Sequence, residues 1–284
     1  PVFISLPGDI LDSSAAIDLA DTTTVDTAVR PSDAAIEALA RRILAAKSPA
    51  ILAGSEIYGS HAWDEAVALA DALGAPVWQQ SVQTGAHFPS EHPAYMGALN
   101  RNQAQVRENL TPHDLLICLG AEVLTMSVYS PVDPLPPGTR LVQIGLRDWE
   151  MGENWAAEIA LRAELKETLQ ALVPVLKRLG GQKLADQAAA SLKQLSVRNW
   201  SAQRAKKAQA AQALAGKSPL APDWLMWRLS EALPKDAVLV EEALTTSFSL
   251  LSFYRYRDRH SYFGNVTGGI GWGIAAAVGV QIAL

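Results

Sequence analysis

Residues 49–78 read PAILAGSEIYGSHAWDEAVALADALGAPVW and contain two short apolar strands separated by one amphipathic helix. The first strand covers residues 50–53 and stops at Gly54. Apolar side chains then recur every three or four residues over 63–73, and a second strand covers 76–78. Short apolar strands that alternate with amphipathic helices predict a mostly parallel sheet with helices on both of its faces.

The same alternation extends to both sides of this stretch. Ser32 is placed to cap a helix whose apolar stripe starts at Ile36. Three further strands are predicted over residues 115–119, 141–144 and 158–161. The sequence therefore predicts one doubly wound, mostly parallel α/β domain over residues 32–178.

The composition changes after residue 178. Residues 179–218 are rich in Ala, Gln, Lys and Arg, as in a surface helix, broken at most once, that links two domains. A second α/β unit is predicted over residues 219–284, with a helix from Pro222, a strand at 237–240 and further helices at 245–254 and 268–284. One or two strands are too few for an independent sheet, so this second domain is predicted to be incomplete.

Both ends of the sequence have the pattern of folded elements that are cut. Residues 1–6 have the pattern of a strand, and residues 1–11 resemble the end of a preceding domain. Residues 12–31 are polar and form a predicted linker. Leu284 closes an apolar helical run that lacks a stop signal. We therefore expect the chain to be an internal fragment.

Composition and charge exclude several classes of protein. The chain of 284 residues has a formal net charge of −5 and no basic stripe, which argues against binding to nucleic acid. Its single cysteine, Cys118, lies in an apolar run, so an internal disulfide is excluded and a cytoplasmic location is favoured. Residues 266–284 carry no charge, but their glycines favour a helix buried against a sheet over a membrane span.

Two hydroxyl side chains follow the strand predicted at 237–240. Thr245 and Thr246 stand where this strand leads into a helix, and α/β sheets place their ligands at the carboxyl ends of strands. Their hydroxyl and backbone groups suit a phosphate. The alternative is a plain helix N-cap, which the residues alone favour.

A glycine-rich turn precedes the last predicted helix. Gly268 and Gly269 would let a ligand lie against bare backbone, and the new helix would offer free N–H groups. The alternative is a tight strand-to-helix turn, and composition does not decide between the two. Residues 271–276 formally match a dinucleotide-binding pattern, but they lie inside the apolar helix, which favours close packing instead.

The histidines lack the pattern of a metal site. None of the five is paired at ligand spacing on one helix, and no cysteine cluster accompanies them, which argues against zinc. His92 lies in the segment 88–97, after the strand at Val77, and is expected in a loop at the carboxyl end of that strand. A structural role is the alternative for this loop histidine.

The order of four motifs resembles one family of enzymes. The motifs are PVFISLPGD at 1–9, FPSEHPAYMG at 88–97, PGTRL at 137–141 and GGIGWG at 268–273, which leads into AAAVG at 275–279. Together they span the chain and resemble thiamin-diphosphate-dependent enzymes of the benzoylformate decarboxylase, acetolactate synthase and pyruvate decarboxylase type. The benzoylformate decarboxylase branch is the nearest one that these motifs indicate.

The resemblance implies a cofactor site. It assigns residues 32–178 to the central domain and residues 219–284 to the start of the diphosphate-binding domain. It implies that Leu244, Thr245 and Thr246 meet the diphosphate, and that Gly268, Gly269 and Ile270 meet the aminopyrimidine and hold the cofactor bent. A histidine that corresponds to His92 approaches the active site in the benzoylformate decarboxylase branch. The activating glutamate and the ligands of Mg²⁺ would lie outside this chain.

The resemblance also implies a reaction. In this family, thiamin diphosphate and Mg²⁺ support the non-oxidative decarboxylation of a 2-keto acid to an aldehyde and carbon dioxide, in a homodimer or homotetramer. We expect the fragment alone to be inactive. An acetolactate-synthase-type carboligase, whose central domain can hold flavin, is the alternative among enzymes. A non-catalytic nucleotide-binding or scaffold protein is the alternative of another class.

Overall fold

The structure is a computed structural model that describes residues 5, 7–16, 21, 23–81, 84–126, 129–265 and 268–284. The strand predicted at 1–6 lies, apart from residue 5, outside the described residues. Helix α1, Gly8–Leu11, is a single turn without a buried residue. The described residues between it and Ser32 are in neither helix nor strand.

Six parallel strands form the main sheet, in the order β3-β2-β1-β4-β5-β6. The strands are β1 Pro49–Ala53, β2 Val77–Gln79, β3 Tyr95–Ala98, β4 Leu115–Leu119, β5 Arg140–Gly145 and β6 Ile159–Arg162. Five of them match predicted strands. The sixth strand, β3, lies in the segment 88–97, where the sequence predicts a loop.

Helices cover both faces of the sheet, which confirms the predicted doubly wound fold. The helices of this part are α2 Asp33–Leu44, α3 Glu56–Gly59, α4 Trp63–Leu73, α5 Gln103–Leu110, α6 Leu165–Ser196 and α7 Trp200–Gln212, with a short 3₁₀ turn at Asp148–Glu150. Strand β4 shows how the faces alternate. Leu115 and Ile117 point into the core beneath α2, α4 and α6, whereas Leu116 and Cys118 point into the core beneath α5. Burial raises the pKa of the Cys118 thiol, as expected for an inert core cysteine.

Helices α2 and α4 begin and end at signals that the sequence carries. The Ser32 hydroxyl accepts a hydrogen bond from the Ala35 N–H at 3.3 Å, which confirms the predicted cap of α2. Gly74 ends α4 with a φ of +58°, a conformation that favours glycine. A Cβ atom at this position would lie 2.6 Å from the Cα atom of Ala188, so α6 can approach only because residue 74 has no side chain.

The helical segment after the sheet differs from the prediction. Helix α6 already begins at Leu165 and is kinked at Gly181, where φ is 57°. Its first half lies in the predicted central domain, where Leu169, Leu172 and Leu176 are fully buried against the sheet, and Leu195 within the predicted surface linker is buried as well. Helix α7 follows α6 after a short break, and its Trp200 is also buried. The segment predicted as a helix broken at most once is therefore interrupted twice, at Gly181 and between α6 and α7.

The second unit is smaller and holds a two-stranded parallel sheet. Its elements are α8 Pro222–Ala232, β7 Leu239–Glu241, α9 Ser247–Leu251, β8 Tyr262–Gly264 and α10 Trp272–Ala283. Helix α9 is shorter than predicted because the chain leaves it to bury Tyr254, whose hydroxyl donates to the carbonyl oxygens of Ala237 and Ser261. Helix α10 starts four residues later than predicted and has no buried residue, so it is not buried against a sheet within this chain.

The loop between β2 and β3 joins the two sheets. The Gly264 N–H of β8 donates to the Thr84 carbonyl at 3.1 Å. Ser90 and Tyr256 exchange two hydrogen bonds, of 3.0 and 2.9 Å. Within the described ranges, none of the helices combines the length and the apolar character that crossing a bilayer requires.

Candidate functional site

The two turns that the sequence singled out start from neighbouring strands. Strands β7 and β8 are parallel, and Glu241 at the end of β7 pairs with Gly264 at the end of β8. The segments that follow, residues 242–246 and the described residues 265 and 268–271, therefore leave the sheet at the same carboxyl edge. This is the edge at which α/β sheets place their ligands. We call the two segments the carboxyl-edge turns.

The side chain of Glu242 links the carboxyl-edge turns. Its two carboxylate oxygens accept hydrogen bonds from the N–H groups of Gly271 and Gly273, at the start of α10. These N–H groups hold the pKa of the Glu242 carboxyl below its usual range. The expectation of free N–H groups at this helix entrance is therefore wrong, since the positive end of the helix attracts the nearest carboxylate.

Asn265 shapes the glycine-rich turn. Its side-chain amide donates to the Gly269 carbonyl at 2.7 Å, and its Oδ1 accepts from the Gly268 N–H at 3.1 Å. Gly268 has a φ of +71°, which favours glycine, and a Cβ atom built there would meet nothing within 4 Å. The backbone at this turn is thus held in shape and lies open on its outer side.

The other predicted cofactor residues lie on the surface. Leu244 is 72% exposed and Ile270 is 91% exposed, so neither side chain is held by packing within the described residues. Thr245 is exposed as well. Thr246 occupies the N-cap position of α9, but its side chain makes no capping hydrogen bond. The N-cap alternative for the hydroxyl of Thr246 is therefore not supported.

Glu241 is a site residue that the sequence analysis did not single out. It is half-buried at the end of β7 and accepts a hydrogen bond from the Tyr262 hydroxyl at 3.0 Å. Burial raises the pKa of its carboxyl, and the Tyr262 hydrogen bond offsets part of that increase. The signal for it was present, because an acidic residue stands directly at the carboxyl end of a strand.

The structure does not place His92 where the sequence predicted. Strands β2 and β3 are parallel, so the loop between them must return to the amino edge of the sheet, and His92 lies three residues before β3. Its Nε2 donates to Asp71 at 3.1 Å and its Nδ1 accepts from the Ala94 N–H at 3.1 Å. The carboxyl-edge placement was wrong, and none of these contacts belongs to the carboxyl-edge turns.

His87 lies in the loop that joins the two sheets. It is fully buried next to Gly85, which forms a β-bridge with Phe263 of β8. Its backbone N–H donates to the side-chain oxygen of Gln79 at 3.2 Å. Burial lowers the pKa of His87 to about 3, against a smaller opposing contribution from the Ala53 carbonyl, so its ring is neutral at physiological pH.

The carboxyl-edge turns offer groups that fit thiamin diphosphate. Hydroxyl and backbone groups at Thr245 and Thr246 suit a diphosphate, and open glycine backbone with the exposed Ile270 suits the flat rings. Among the described residues, no group of three or more His, Cys, Asp and Glu side chains is arranged to hold a metal ion.

Comparison with known proteins finds one matching family and several similar proteins. Residues 36–172 match the family described as "Thiamine pyrophosphate enzyme, central domain". Benzoylformate decarboxylase from Pseudomonas aeruginosa is 29% identical over 291 residues, which cover 100% of this chain and 50% of that protein. Acetolactate synthase from Mycobacterium bovis is 24% identical over 263 residues, which cover 90% of this chain and 40% of that protein.

A solved structure has a similar fold. The thiamine diphosphate-dependent 4-hydroxybenzoylformate decarboxylase of Rhodococcus jostii RHA1 superposes with a TM-score of 0.72 at 26% identity. The superposition covers 92% of this chain and 46% of that one. The chain thus spans about half the length of the curated relatives that it matches.

Proposed function

We propose that this chain belongs to the thiamin-diphosphate-dependent enzymes, which the family match over residues 36–172 and the similarity to benzoylformate decarboxylase support, and that it serves the non-oxidative decarboxylation of a 2-keto acid to an aldehyde and carbon dioxide. The observation that carries this proposal is the adjacency of the carboxyl-edge turns, which puts Thr245 and Ile270 on the same side of β7 and β8. The similarity to benzoylformate decarboxylase over the whole chain supports it.

Each part of the carboxyl-edge turns has a proposed task. Thr245 and Thr246 donate hydroxyl and backbone hydrogen bonds to the diphosphate of the cofactor, with Leu244 beside them. Gly268 and Gly269 present bare backbone to the aminopyrimidine, and Ile270 supports the bent form of the cofactor. When bound, thiamin diphosphate supplies an electron sink for the carbon–carbon bond that breaks.

The chain's own groups also set the environment of the reaction. Leu244 and Ile270 would exclude water from one side of the bound cofactor, and a dry site favours loss of the substrate carboxylate's charge. The negative charge of Glu242 offsets the positive end of the helix α10. The negatively charged diphosphate is therefore directed to residues 244–246 instead. Mg²⁺ is proposed as the counterion of the diphosphate, with protein ligands that lie outside this chain.

A carboligase of the acetolactate synthase type is the second candidate, and the relative from Mycobacterium bovis supports it. The two activities differ in what accepts the acyl group: a proton gives an aldehyde, whereas a second carbonyl compound gives an acyloin. A non-catalytic nucleotide-binding or scaffold protein is the candidate of a different class. Activity that depends on thiamin diphosphate separates both enzymes from it.

The proposal is tested on the full-length protein that carries this chain. A panel of aromatic and aliphatic 2-keto acids is supplied with thiamin diphosphate and Mg²⁺, and carbon dioxide, aldehyde and acyloin are measured separately. We expect carbon dioxide and aldehyde in equal amounts from at least one substrate. Acyloin as the main product would establish the carboligase, and no turnover with any substrate would favour the non-catalytic class.

The assembly and location are proposals as well. We propose a homodimer or homotetramer in the cytoplasm, with a small-molecule 2-keto acid as its substrate. The exposed apolar side chains of Leu244 and Ile270 support an assembly in which these surfaces are covered. Light scattering of the full-length protein after gel filtration measures its mass, and a monomer at micromolar concentration would contradict the proposed assembly.

A further inference from the structure

The main sheet has a crevice at the point where its strand order reverses. In the sheet, β1 has β2 on one side and β4 on the other. The chain continues outward from β1 through β2 to β3, and then outward in the opposite direction from β4 through β5 to β6. The carboxyl ends of β1 and β4 therefore flank a topological switch point, where open α/β sheets bind ligands, often through phosphate groups. Gly54 follows β1 directly and Gly120 follows β4, so both walls of this crevice are bare backbone.

The crevice is filled by a side chain of the protein itself. A Cβ atom added to Gly120 would lie 2.2 Å from the Cβ of Glu56, and one added to Gly145, at the end of β5, would lie 2.9 Å from its carboxylate. Only about 10 Å³ of cavity remains here, which is room for about one water molecule. The glycines thus make space that Glu56 occupies.

The Glu56 carboxylate is bound as an anionic ligand would be. Its Oε2 accepts from the Leu146 N–H at 2.7 Å, and its Oε1 accepts from the Arg147 guanidinium at 3.1 Å. The guanidinium is held in place by the carbonyl of Gly120, at 3.4 Å, and by Glu150, at 2.9 Å. A backbone N–H and a fixed guanidinium that converge on one point form the donor set that phosphates and carboxylates prefer.

We propose that this crevice is an anion-binding site whose occupant is the protein's own Glu56 carboxylate, which excludes the diphosphate of a nucleotide or flavin. Charge adds to the steric exclusion. Arg147 also faces Glu150 and, at 3.8 Å, Glu122, so the cluster already carries more negative than positive charge. A nucleotide or flavin diphosphate carries more negative charge than the single carboxylate of Glu56 or inorganic phosphate, so Glu150 and Glu122 would oppose it more strongly. This inference does not depend on the reaction proposed above.

The experiment removes the internal anion and supplies an external one. Glu56→Ala leaves the Leu146 N–H and Arg147 without their partner, so thermal stability should fall. Inorganic phosphate should restore it along a saturable curve, by roughly 2–4 °C for each kcal/mol of binding free energy. The unaltered protein should show no saturable response to phosphate, and neither ADP nor FAD should bind at this crevice.

A matched control separates this site from the general effect of phosphate on protein surfaces. Glu158 pairs with Arg42 through two hydrogen bonds, of 2.7 and 3.0 Å, outside the crevice. Glu158→Ala therefore also frees an arginine, but we expect only the non-saturable response. The double variant Glu56→Ala/Arg147→Ala should lose the rescue.

Three results would overturn the proposal. The first is a phosphate response of Glu56→Ala that equals that of Glu158→Ala. The second is stoichiometric binding of ADP or FAD to the unaltered protein that Arg147→Ala abolishes. The third concerns a Glu56→Ala protein that does not fold during expression, for which the refolding yield in phosphate is compared with the yield in chloride at equal ionic strength. A higher yield in phosphate supports the proposal and equal yields contradict it.

Discussion

Glu242, which directly follows β7, accepts a hydrogen bond from the N–H of Gly271, the residue before α10. The two residues are 29 positions apart and meet because β7 and β8 run parallel and end at the same edge. This contact fixes the spacing between the carboxyl-edge turns. It therefore couples the part of the site proposed to hold the diphosphate to the part proposed to hold the aminopyrimidine.

Glu242→Gln is expected to weaken this coupling. The amide keeps the shape of the side chain, but the positive end of α10 is attracted to a negative charge. We expect a lower midpoint of thermal unfolding at neutral pH and weaker binding of thiamin diphosphate to the full-length enzyme. Glu153→Gln removes an exposed carboxylate elsewhere and should leave both unchanged.

The difference in unfolding free energy between Glu242→Gln and the unaltered protein should depend on pH. Because the folded-state pKa of Glu242 lies below its unfolded value, its stabilising effect is fully present above the unfolded pKa and is lost as the pH falls through the folded pKa. Unfolding by urea at a series of pH values should therefore show two curves that converge in acid. A constant difference between the variant and the unaltered protein down to the acid limit would contradict this role.

The sequence predicted α2, β1, α4 and β2 closely because their boundaries are set by local chemistry. Ser32 and Gly74 act through hydrogen bonds and backbone angles within their own turns. Strand β3 was missed because Pro93 and Gly97 make it resemble a loop, and its pairing with β2 is irregular between Val77 and Trp78.

The contacts of the candidate sites were not accessible from the sequence. Glu56 reaches Leu146 across 90 residues, and Glu242 reaches Gly271 across 29, so both depend on which strands become neighbours. The error over His92 has a similar origin. A loop that leaves the carboxyl edge of one parallel strand ends at the amino edge of the next, and sequence distance does not show on which side a residue lies.

Ile270→Ala should separate cofactor binding from stability. Ile270 is 91% exposed, so its truncation should not change the unfolding temperature of this chain. If Ile270 supports the cofactor, the loss of its apolar contact should weaken thiamin diphosphate binding to the full-length enzyme roughly tenfold. Ile282→Ala, which truncates an 81% exposed isoleucine near the end of α10, is the matched control. Equal affinities in the two variants would rule out this role.

His92→Gln tests whether the predicted catalytic histidine has a structural task instead. Both ring nitrogens are engaged, with Asp71 and with the Ala94 N–H, so the substitution should cost about 1 kcal/mol of unfolding free energy. A catalytic role predicts in addition a large fall in kcat of the full-length enzyme. Asp71→Asn disturbs only the contact between His92 and Asp71. If His92 is catalytic, this variant should reproduce the loss of stability without the fall in kcat.

His87 should make the fold sensitive to acid. Its pKa is lowered to about 3 by burial, whereas the unfolded chain has the ordinary value of 6.5. As the pH falls below 6.5, the unfolded state takes up a proton that the folded state refuses, so stability decreases continuously down to about pH 3. Each pH unit in this window is worth about 1.4 kcal/mol, and the loss is on the order of several kcal/mol in all.

The matching variant is His87→Gln, which keeps hydrogen-bonding groups at the interface between the two sheets but does not titrate. We expect it to lower stability at neutral pH, because it removes a fully buried ring that packs beside Gly85. It should also flatten the pH dependence of the unfolding free energy between pH 6.5 and 3. His260→Gln, at a more exposed histidine, leaves His87 in place and should retain the acid sensitivity. If His87→Gln lost stability in acid as steeply as the unaltered protein, another group would have to be the source of that sensitivity.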